Sequence, residues 1–194
     1  VLVRNTNQRS GDYDKLKQQY RPGHADETTM KKYGIRDHRG GGRSSGRETI
    51  ARVIGGYFAS LVIPDVKVKG FMTRMGPFES QKLPTGEEFD LDYAPYFYPV
   101  KSKEKDIEIR DYLLNLKKNG ESRGGKVTLV AKNVAAGLGE PAFDKLKADL
   151  AKALLSIGAV VSFSFGLGEE MANVEGSVVS QDRAHFGGIE GGIS

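Results

Sequence analysis

The chain has 194 residues and a formal net charge of +4; 38% of its residues are hydrophobic and none is cysteine. This length favours one domain with a real core. The absence of cysteine excludes disulfides, thiolate metal sites and cysteine nucleophiles. No apolar stretch approaches the roughly 18 residues of a transmembrane helix, and no signal peptide opens the chain. We therefore expect a soluble, cytoplasmic protein that does not bind membranes.

Both ends of the chain lie inside patterned sequence. The first three residues, Val1, Leu2 and Val3, form an apolar run without a polar lead-in, and residues 187–194 end within a glycine-rich pattern. We therefore expect residues 1–194 to be a single core domain that is truncated at both ends.

Helices and strands are interspersed along the sequence. Apolar periodicity predicts helices at residues 13–19, 26–33, 106–118 and 144–156, and strands at 66–73, 126–134 and 159–165; residues 77–100 are predicted to form a long loop. The strands alternate polar and apolar residues. This pattern favours an α/β sandwich with antiparallel sheets over a doubly wound parallel sheet.

A further helix is predicted to begin after the glycine run at residues 40–42. Ser45 and Glu48 have the spacing of a capping box, and the apolar residues that follow lie on one helical face: Ile50, Val53, Ile54, Tyr57, Phe58 and Leu61. Gly55 and Gly56 each weaken this helix by roughly 1 kcal/mol relative to alanine. We expect another helix or a sheet to approach closely at these glycines.

The segment from Gly40 to Arg47, GGGRSSGR, is the strongest local feature. Glycines let a ligand approach the backbone, and the N-terminus of a helix attracts anions. The segment lacks the lysine of a phosphate-binding Walker loop and the spacing of a dinucleotide fingerprint. The residues alone leave two interpretations open, an anion site and a flexible turn before a capped helix.

His24 lies in a second candidate segment, Arg21-Pro22-Gly23-His24-Ala25-Asp26. The unperturbed pKa of histidine, about 6.5, suits proton transfer near neutral pH. The spacing alone favours the simpler interpretation, a surface histidine in a turn with Asp26 as the N-cap of the next helix.

The basic residues between positions 36 and 47 allow a different function. Arg36, Arg39, Arg43 and Arg47 surround the glycine run and could form a nucleic-acid-binding module. Such arginine–glycine tracts are usually repeated and interleaved with aromatic residues, whereas this one occurs once. A small anionic ligand is therefore favoured over nucleic acid. The acidic residues of the 77–100 loop lack metal-ligand spacing, and we expect no metal site.

Three long stretches together resemble chorismate synthase. They are residues 5–53, which include RPGHAD and RGGGRSSGRET, residues 124–160, and the terminal GGIEGGIS. The resemblance covers nearly the whole chain. It implies a β-α-β sandwich with antiparallel sheets around a helical layer, and a homotetramer that binds reduced FMN. It leaves open whether the protein reduces its flavin itself, with NADP(H), or relies on another source.

The reaction implied by the resemblance is an anti-1,4-elimination, which releases phosphate from 5-enolpyruvylshikimate 3-phosphate and forms chorismate. His24 matches a catalytic histidine of the family, one thought to protonate the reduced flavin. Arg21 and Arg47 resemble arginines that bind the anionic groups of the substrate. The positions that match flavin contacts are Arg43, Ser44, Ser45, Gly158, Ala159 and Gly191. The family's other catalytic histidine and its C-terminal flavin-binding segment have no counterpart in these 194 residues.

Overall fold

The computed structural model describes residues 1–4, 10–39, 45–80, 83, 89 and 103–194. The chain divides into two compact units, one formed by residues 1–62 and 135–194 and the other by residues 63–134. We call them the first and the second unit. Within the described ranges, no helix combines the length and the apolar character needed to cross a membrane.

The second unit is built on a three-stranded antiparallel sheet with strand order β2-β1-β3. Its strands are β1 (Lys67–Met75), β2 (Phe78–Glu79) and β3 (Gly125–Lys132). The register of β1 and β3 pairs Val68 with Ala131 and shifts between Met72 and Arg74. The predicted strands at 66–73 and 126–134 are confirmed, and β2 lies within the segment that was predicted to be a loop.

One face of this sheet carries the core of the second unit. Phe71 and Met75 point to this face and are buried, together with Phe89 and with Ile109 from the helix Lys103–Lys118. Thr73 is buried beside them, and its hydroxyl lies 2.9 Å from Oγ1 of Thr128 and 3.3 Å from the carbonyl oxygen of Lys126. This buried hydroxyl is therefore satisfied.

The helix of the second unit ends as its sequence predicts. In chain order it is α3, and its last turn is closed at Gly120, which has φ = 67°. The amide of Gly120 donates to the carbonyl of Lys117, and the amide of Glu121 donates to that of Leu116. This pair of bonds is the Schellman motif, which requires a left-handed residue that glycine adopts without strain.

The first unit begins with short helices. A 3-10 helix covers Ser10–Lys17 where a helix was predicted at 13–19, and α1 covers Asp26–Tyr33 as predicted, with Gly34 at its C-terminal cap. A 3-10 turn at Gly46–Glu48 leads into α2, Thr49–Val62. The Ser45 hydroxyl accepts a hydrogen bond from the amide of Arg47 at 3.3 Å, one residue earlier than a capping box requires.

Helix α2 is apolar and contains no buried residue. Val53 is 74% exposed and Tyr57 64% exposed. A Cβ atom added at Gly55 or Gly56 would meet nothing within 4 Å among the described residues. The expectation of a close neighbour at these two glycines is therefore wrong within the described part of the chain.

The C-terminal half of the first unit contains α4 (Leu146–Leu155) and α5 (Gly176–Val179), with 3-10 helices at Gly168–Asn173 and Arg183–Phe186. The predicted strand at 159–165 is wrong, because these residues pair with no other strand in the described structure. The Phe163 and Phe165 rings instead pack edge to face, with centroids 4.6 Å apart. Alternating apolar residues form a strand only where a partner supplies the ladder hydrogen bonds.

The architecture is mixed α/β, with a small antiparallel sheet and several helices. This confirms the antiparallel sheet that the alternating strands predicted. The description of residues 1–194 as a single domain stays a prediction.

Candidate functional site

A tight turn places His24 at the start of α1. The amide of His24 donates to the carbonyl of Arg21 at 3.2 Å, and Gly23 has φ = 69°. Proline and then glycine between these two residues suit a type II turn, whose third residue needs a positive φ. The turn therefore returns the chain on itself and brings the side chains of Arg21, His24 and Asp26 together.

Asp26 is the buried centre of a group of charged and titratable side chains, which we call the Asp26 cluster: Arg21, His24, Asp26 and Arg36. The Asp26 side chain is only 4% exposed. Arg21 binds it in a bidentate way, with Nε 2.9 Å from Oδ2 and Nη2 2.9 Å from Oδ1, and the amide of Arg21 donates to Oδ2 at 3.1 Å. This fork geometry is the strongest form of the arginine–carboxylate pair.

Arg36 is the second cation of the Asp26 cluster and is 5% exposed. Its Nη1 lies 3.4 Å from Oδ2 of Asp26 and has no hydrogen-bond partner within the described part of the chain, while its Nη2 donates to the carbonyl oxygens of Leu16, Lys17 and Gln19. Its guanidinium also lies 4.9 Å from the centre of the Tyr20 ring. Arg36 therefore ties the segment before the turn to the buried carboxylate.

His24 is part of the same cluster through one ring nitrogen. Its Nδ1 lies 3.2 Å from Nη2 of Arg21 and 3.0 Å from Oδ1 of Asp26, and its side chain is 31% exposed. The ring is therefore anchored at Nδ1 and still reaches solvent. A half-exposed imidazole with one anchored nitrogen can exchange a proton at the other, Nε2.

The charges of the cluster keep Asp26 ionised. The hydrogen bond from the Arg21 side chain is the largest cause that lowers the pKa of Asp26 well below its ordinary value, and it outweighs burial, which raises that pKa. The same hydrogen bond raises the pKa of Arg21. Arg21 and Asp26 are therefore both charged over the whole range in which a histidine titrates.

Three backbone turns of the first unit carry the positions that match flavin contacts, and we call them the glycine turns: 45–47, 158–159 and 191–192. Nη2 of Arg52, in the first turn of α2, donates to the carbonyl oxygen of Ser156 at 2.9 Å and lies 3.0 Å from its hydroxyl. These bonds tie the helix that follows the first turn to the residues just before the second. Ala159 has φ = 67°, which is uncommon for a residue with a side chain.

The third glycine turn is a tight reversal between Glu190 and Ile193, whose amides and carbonyls exchange two hydrogen bonds of 3.0 Å. Gly191 and Gly192 between them have φ values of 62° and 92°, as a type I′ turn requires. A cavity of about 250 Å³ adjoins this turn and is lined by Lys147, Phe165, Met171, Phe186, Ile189, Gly191 and Gly192. The lining of this cavity is mostly apolar and includes one amine, that of Lys147.

The whole chain, residues 1–194, matches the family model of chorismate synthase. The chain belongs to the chorismate synthase family. Chorismate synthases of Afipia carboxidovorans and Flavobacterium psychrophilum are each 45% identical to it, in alignments that cover 100% of this chain and 56% of the relative. A crystal structure of chorismate synthase is similar with a TM-score of 0.70 and 30% identity, over 88% of this chain and 59% of that one. The chain therefore spans about half the length of the curated relatives that it matches.

The family resemblance named eight positions beside His24, and the structure places six of them. Arg43 and Ser44 lie outside the described residues. Ser45, Gly158, Ala159 and Gly191 form the glycine turns. Arg47 is exposed, and its side chain has no partner among the described residues. Arg21, which the resemblance expects to bind substrate, has two of its three guanidinium nitrogens engaged by Asp26.

The structure also bears on the nucleic-acid interpretation. Arg36, the first of its four arginines, is buried and donates to backbone carbonyls, so it cannot reach a phosphate backbone. Arg39 is exposed and lies 3.9 Å from Asp37. Two of the four cations therefore face carboxylates of the chain itself, which leaves less charge for the salt-dependent binding that nucleic acid requires.

Sequence reasoning missed the part that Asp26 plays. It is not an N-cap: Ala25 occupies that position, and the Asp26 carboxylate accepts from the residue five positions earlier. The available signal was an acid at a helix start that follows a histidine by two residues and an arginine by five. Within the described residues, no group of three or more metal-binding side chains could hold a metal ion.

Proposed function

We propose that this chain provides the flavin-binding turn and one catalytic histidine of a chorismate synthase. The activity is the elimination of phosphate from 5-enolpyruvylshikimate 3-phosphate with loss of a C6 hydrogen and no net redox change. The observation that carries the proposal is the match of all 194 residues to the family. The chain spans 56% of its curated relatives, so the activity is proposed for the protein in which these residues work as a whole.

Reduced FMN is the proposed cofactor, and when bound it lends electron density as the phosphate leaves. The glycine turns suit such a ligand because a Cβ atom added at Gly158 or Gly191 would meet none of the described residues within 4 Å. A ligand can therefore approach the backbone at both positions. Ser45 and the positions of Arg43 and Ser44 complete the proposed flavin contacts. The apolar cavity beside Gly191 adds a surface that suits the edge of an aromatic ring system.

The substrate carries one phosphate and two carboxylates, so its site needs cations. Arg47 supports this role, since its exposed guanidinium has no partner among the described residues. Arg21 contributes positive charge close to His24, but two of its three nitrogens are engaged by Asp26. His24 is proposed to move a proton at Nε2, while Nδ1 stays in the Asp26 cluster.

The remaining parts of the proposal rest on family membership. They are the β-α-β sandwich with antiparallel sheets around a helical layer, the homotetramer and the cytoplasmic location. The antiparallel sheet of the second unit and the TM-score of 0.70 to a chorismate synthase structure support the sandwich.

Titration of FMN into the folded chain, with and without substrate, tests the proposal. We expect weak binding of reduced FMN, because only part of the family's contact set is present, and tighter binding when the substrate is added. Flavin fluorescence and isothermal calorimetry under anaerobic conditions would measure both. If a folded sample binds no FMN at high flavin concentration, with or without substrate, the proposal fails.

A matched pair of glycine variants makes the titration specific. Gly158→Val places a branched side chain in a proposed flavin contact, whereas Gly176→Val adds the same bulk at a position for which no ligand is proposed. Neither glycine has a positive φ, and neither has a described neighbour within 4 Å of an added Cβ. We expect only Gly158→Val to weaken FMN binding, and an equal loss in both variants would count against the proposed contact.

A further inference from the structure

The contact between Arg21 and His24 bears on which ring nitrogen of the neutral imidazole carries the proton. Nη2 of Arg21 lies 3.2 Å from Nδ1 of His24 with the geometry of a hydrogen bond, and the same Nη2 lies 2.9 Å from Oδ1 of Asp26. Nη2 carries two hydrogens, so it can serve both acceptors. The bidentate bond to a carboxylate that is 4% exposed fixes the plane and position of the guanidinium.

A guanidinium only donates hydrogen bonds and does not lose its proton in a protein. A hydrogen bond between Nη2 and Nδ1 therefore requires a lone pair on Nδ1. In a neutral ring that makes this bond the single proton is on Nε2, the ring nitrogen on the opposite side from the carboxylate. The contact with Nη2 has hydrogen-bond geometry, whereas the 3.0 Å approach of Nδ1 to Oδ1 of Asp26 is an ion-pair distance. The two nitrogens of His24 are distinguished by the ion pair, and this does not depend on any ligand.

The cluster can also hold His24 when its ring is protonated. When Nδ1 takes up a proton it can no longer accept from Arg21, but Oδ1 of Asp26 lies 3.0 Å away and forms an ion pair with the charged ring. A charge-assisted bond of this kind is stronger than a neutral one. His24 can thus gain or lose a proton without leaving its place beside the ion pair.

We infer that Arg21 is a positioning residue for His24 rather than a substrate ligand: clamped by Asp26, it donates to Nδ1 and keeps the proton of the neutral ring on Nε2. The catalytic part of this inference rests on the proposed function, because that part assigns Nε2 as the nitrogen that faces the reacting groups. The assignment of the proton itself rests on this chain's geometry alone.

Nitrogen NMR of the histidine rings tests the assignment in the unmodified chain, without flavin or substrate. The chain has three histidines, so the signals of His24 are identified by their loss in His24→Gln. In the neutral ring we expect a protonated Nε2 and a bare, hydrogen-bonded Nδ1. A neutral His24 with its proton on Nδ1 would overturn the inference without any further variant.

Arg21→Gln adds the second test. Loss of the guanidinium leaves Oδ1 of Asp26 as the partner of Nδ1, so the neutral ring should shift toward the form with the proton on Nδ1. Arg110→Gln is the matched control, since it removes one exposed arginine in the second unit. An unchanged His24 spectrum in a folded Arg21→Gln sample would contradict the role of Arg21.

Steady-state kinetics of the holoenzyme separates positioning from substrate binding. We expect Arg21→Gln to lower kcat by about ten-fold or more with little change in KM. General acid–base catalysis contributes more than ten-fold to a rate, so a misplaced proton on His24 should reduce kcat by at least this much. A raised KM with an unchanged kcat would show instead that Arg21 binds substrate. Absence of turnover in the unmodified holoenzyme would count against the proposed function and leave the NMR result standing.

Discussion

The Asp26 cluster and the glycine turns are built in opposite ways. The cluster is held by side-chain charges around a buried carboxylate, with three hydrogen bonds from Arg21 to Asp26. The glycine turns are held by backbone conformation, and an added Cβ at Gly158 or Gly191 would contact no residue that the structure describes. A proton-transferring group needs a fixed orientation before the ligand arrives, whereas a cofactor needs backbone that it can approach closely.

The largest predicted effect falls on the cluster. Asp26→Ala leaves Arg36 buried beside an empty position, and breaking a buried pair in this way costs about 3 kcal/mol or more of the free energy of unfolding. Urea unfolding followed by far-UV circular dichroism measures the loss. Glu27→Ala removes the neighbouring, exposed acid, which pairs with Lys31 across a helical turn, and should change stability little. Equal losses in the two variants would show that the cluster does not stabilise the fold.

The acid stability of the chain should depend on the same carboxylate. The folded pKa of Asp26 lies below its ordinary value of 3.8, so its contribution is fully present above that value. As pH falls below 3.8, the unfolded state takes up a proton that the folded state resists, and stability decreases. Unfolding free energies measured at several pH values below about 5 should fall less steeply in Asp26→Asn than in Glu27→Gln. Parallel slopes would refute this assignment.

These two regions also differ in how far the sequence could predict them. Helix α1 was predicted with its observed bounds because its start follows a Pro-Gly turn and Gly34 ends it, and both signals are local. The strand predicted at 159–165 failed because strand formation depends on a distant partner, which no local pattern reports.

The same distinction applies inside the site. His24 could be named from the RPGHAD motif, and the positions of the glycine turns followed from the family resemblance. The burial of Arg36 could not be predicted, because it depends on the carbonyl oxygens of Leu16, Lys17 and Gln19, which precede Arg36 by 17 to 20 residues. Without knowledge of that contact, the sequence predicts only that Arg36 is a surface cation and that Asp26 is an N-cap.

A smaller effect is predicted at the third glycine turn. Gly191 has φ = 62°, so Gly191→Ala forces an L-residue into the left-handed region at a cost of about 1 kcal/mol. Steric crowding does not cause this loss, since an added Cβ would have no neighbour within 4 Å among the described residues. Gly191→Asn, which tolerates this conformation better, should recover part of the loss in urea unfolding. No difference between the alanine and asparagine variants would indicate that backbone strain is not the cause.

The smallest effect on stability is predicted for Gly158→Ala. Gly158 has no positive φ and no described neighbour within 4 Å of an added Cβ, so a methyl group should change the free energy of unfolding by no more than about 0.5 kcal/mol. If this turn is a flavin contact, the same methyl group should still weaken FMN binding, because it stands between the ligand and the backbone. Unfolding and FMN titration on one preparation measure both quantities. A variant that keeps its stability and loses affinity would mark the turn as a ligand surface, whereas unchanged affinity would restrict the proposed flavin contacts to the other turns.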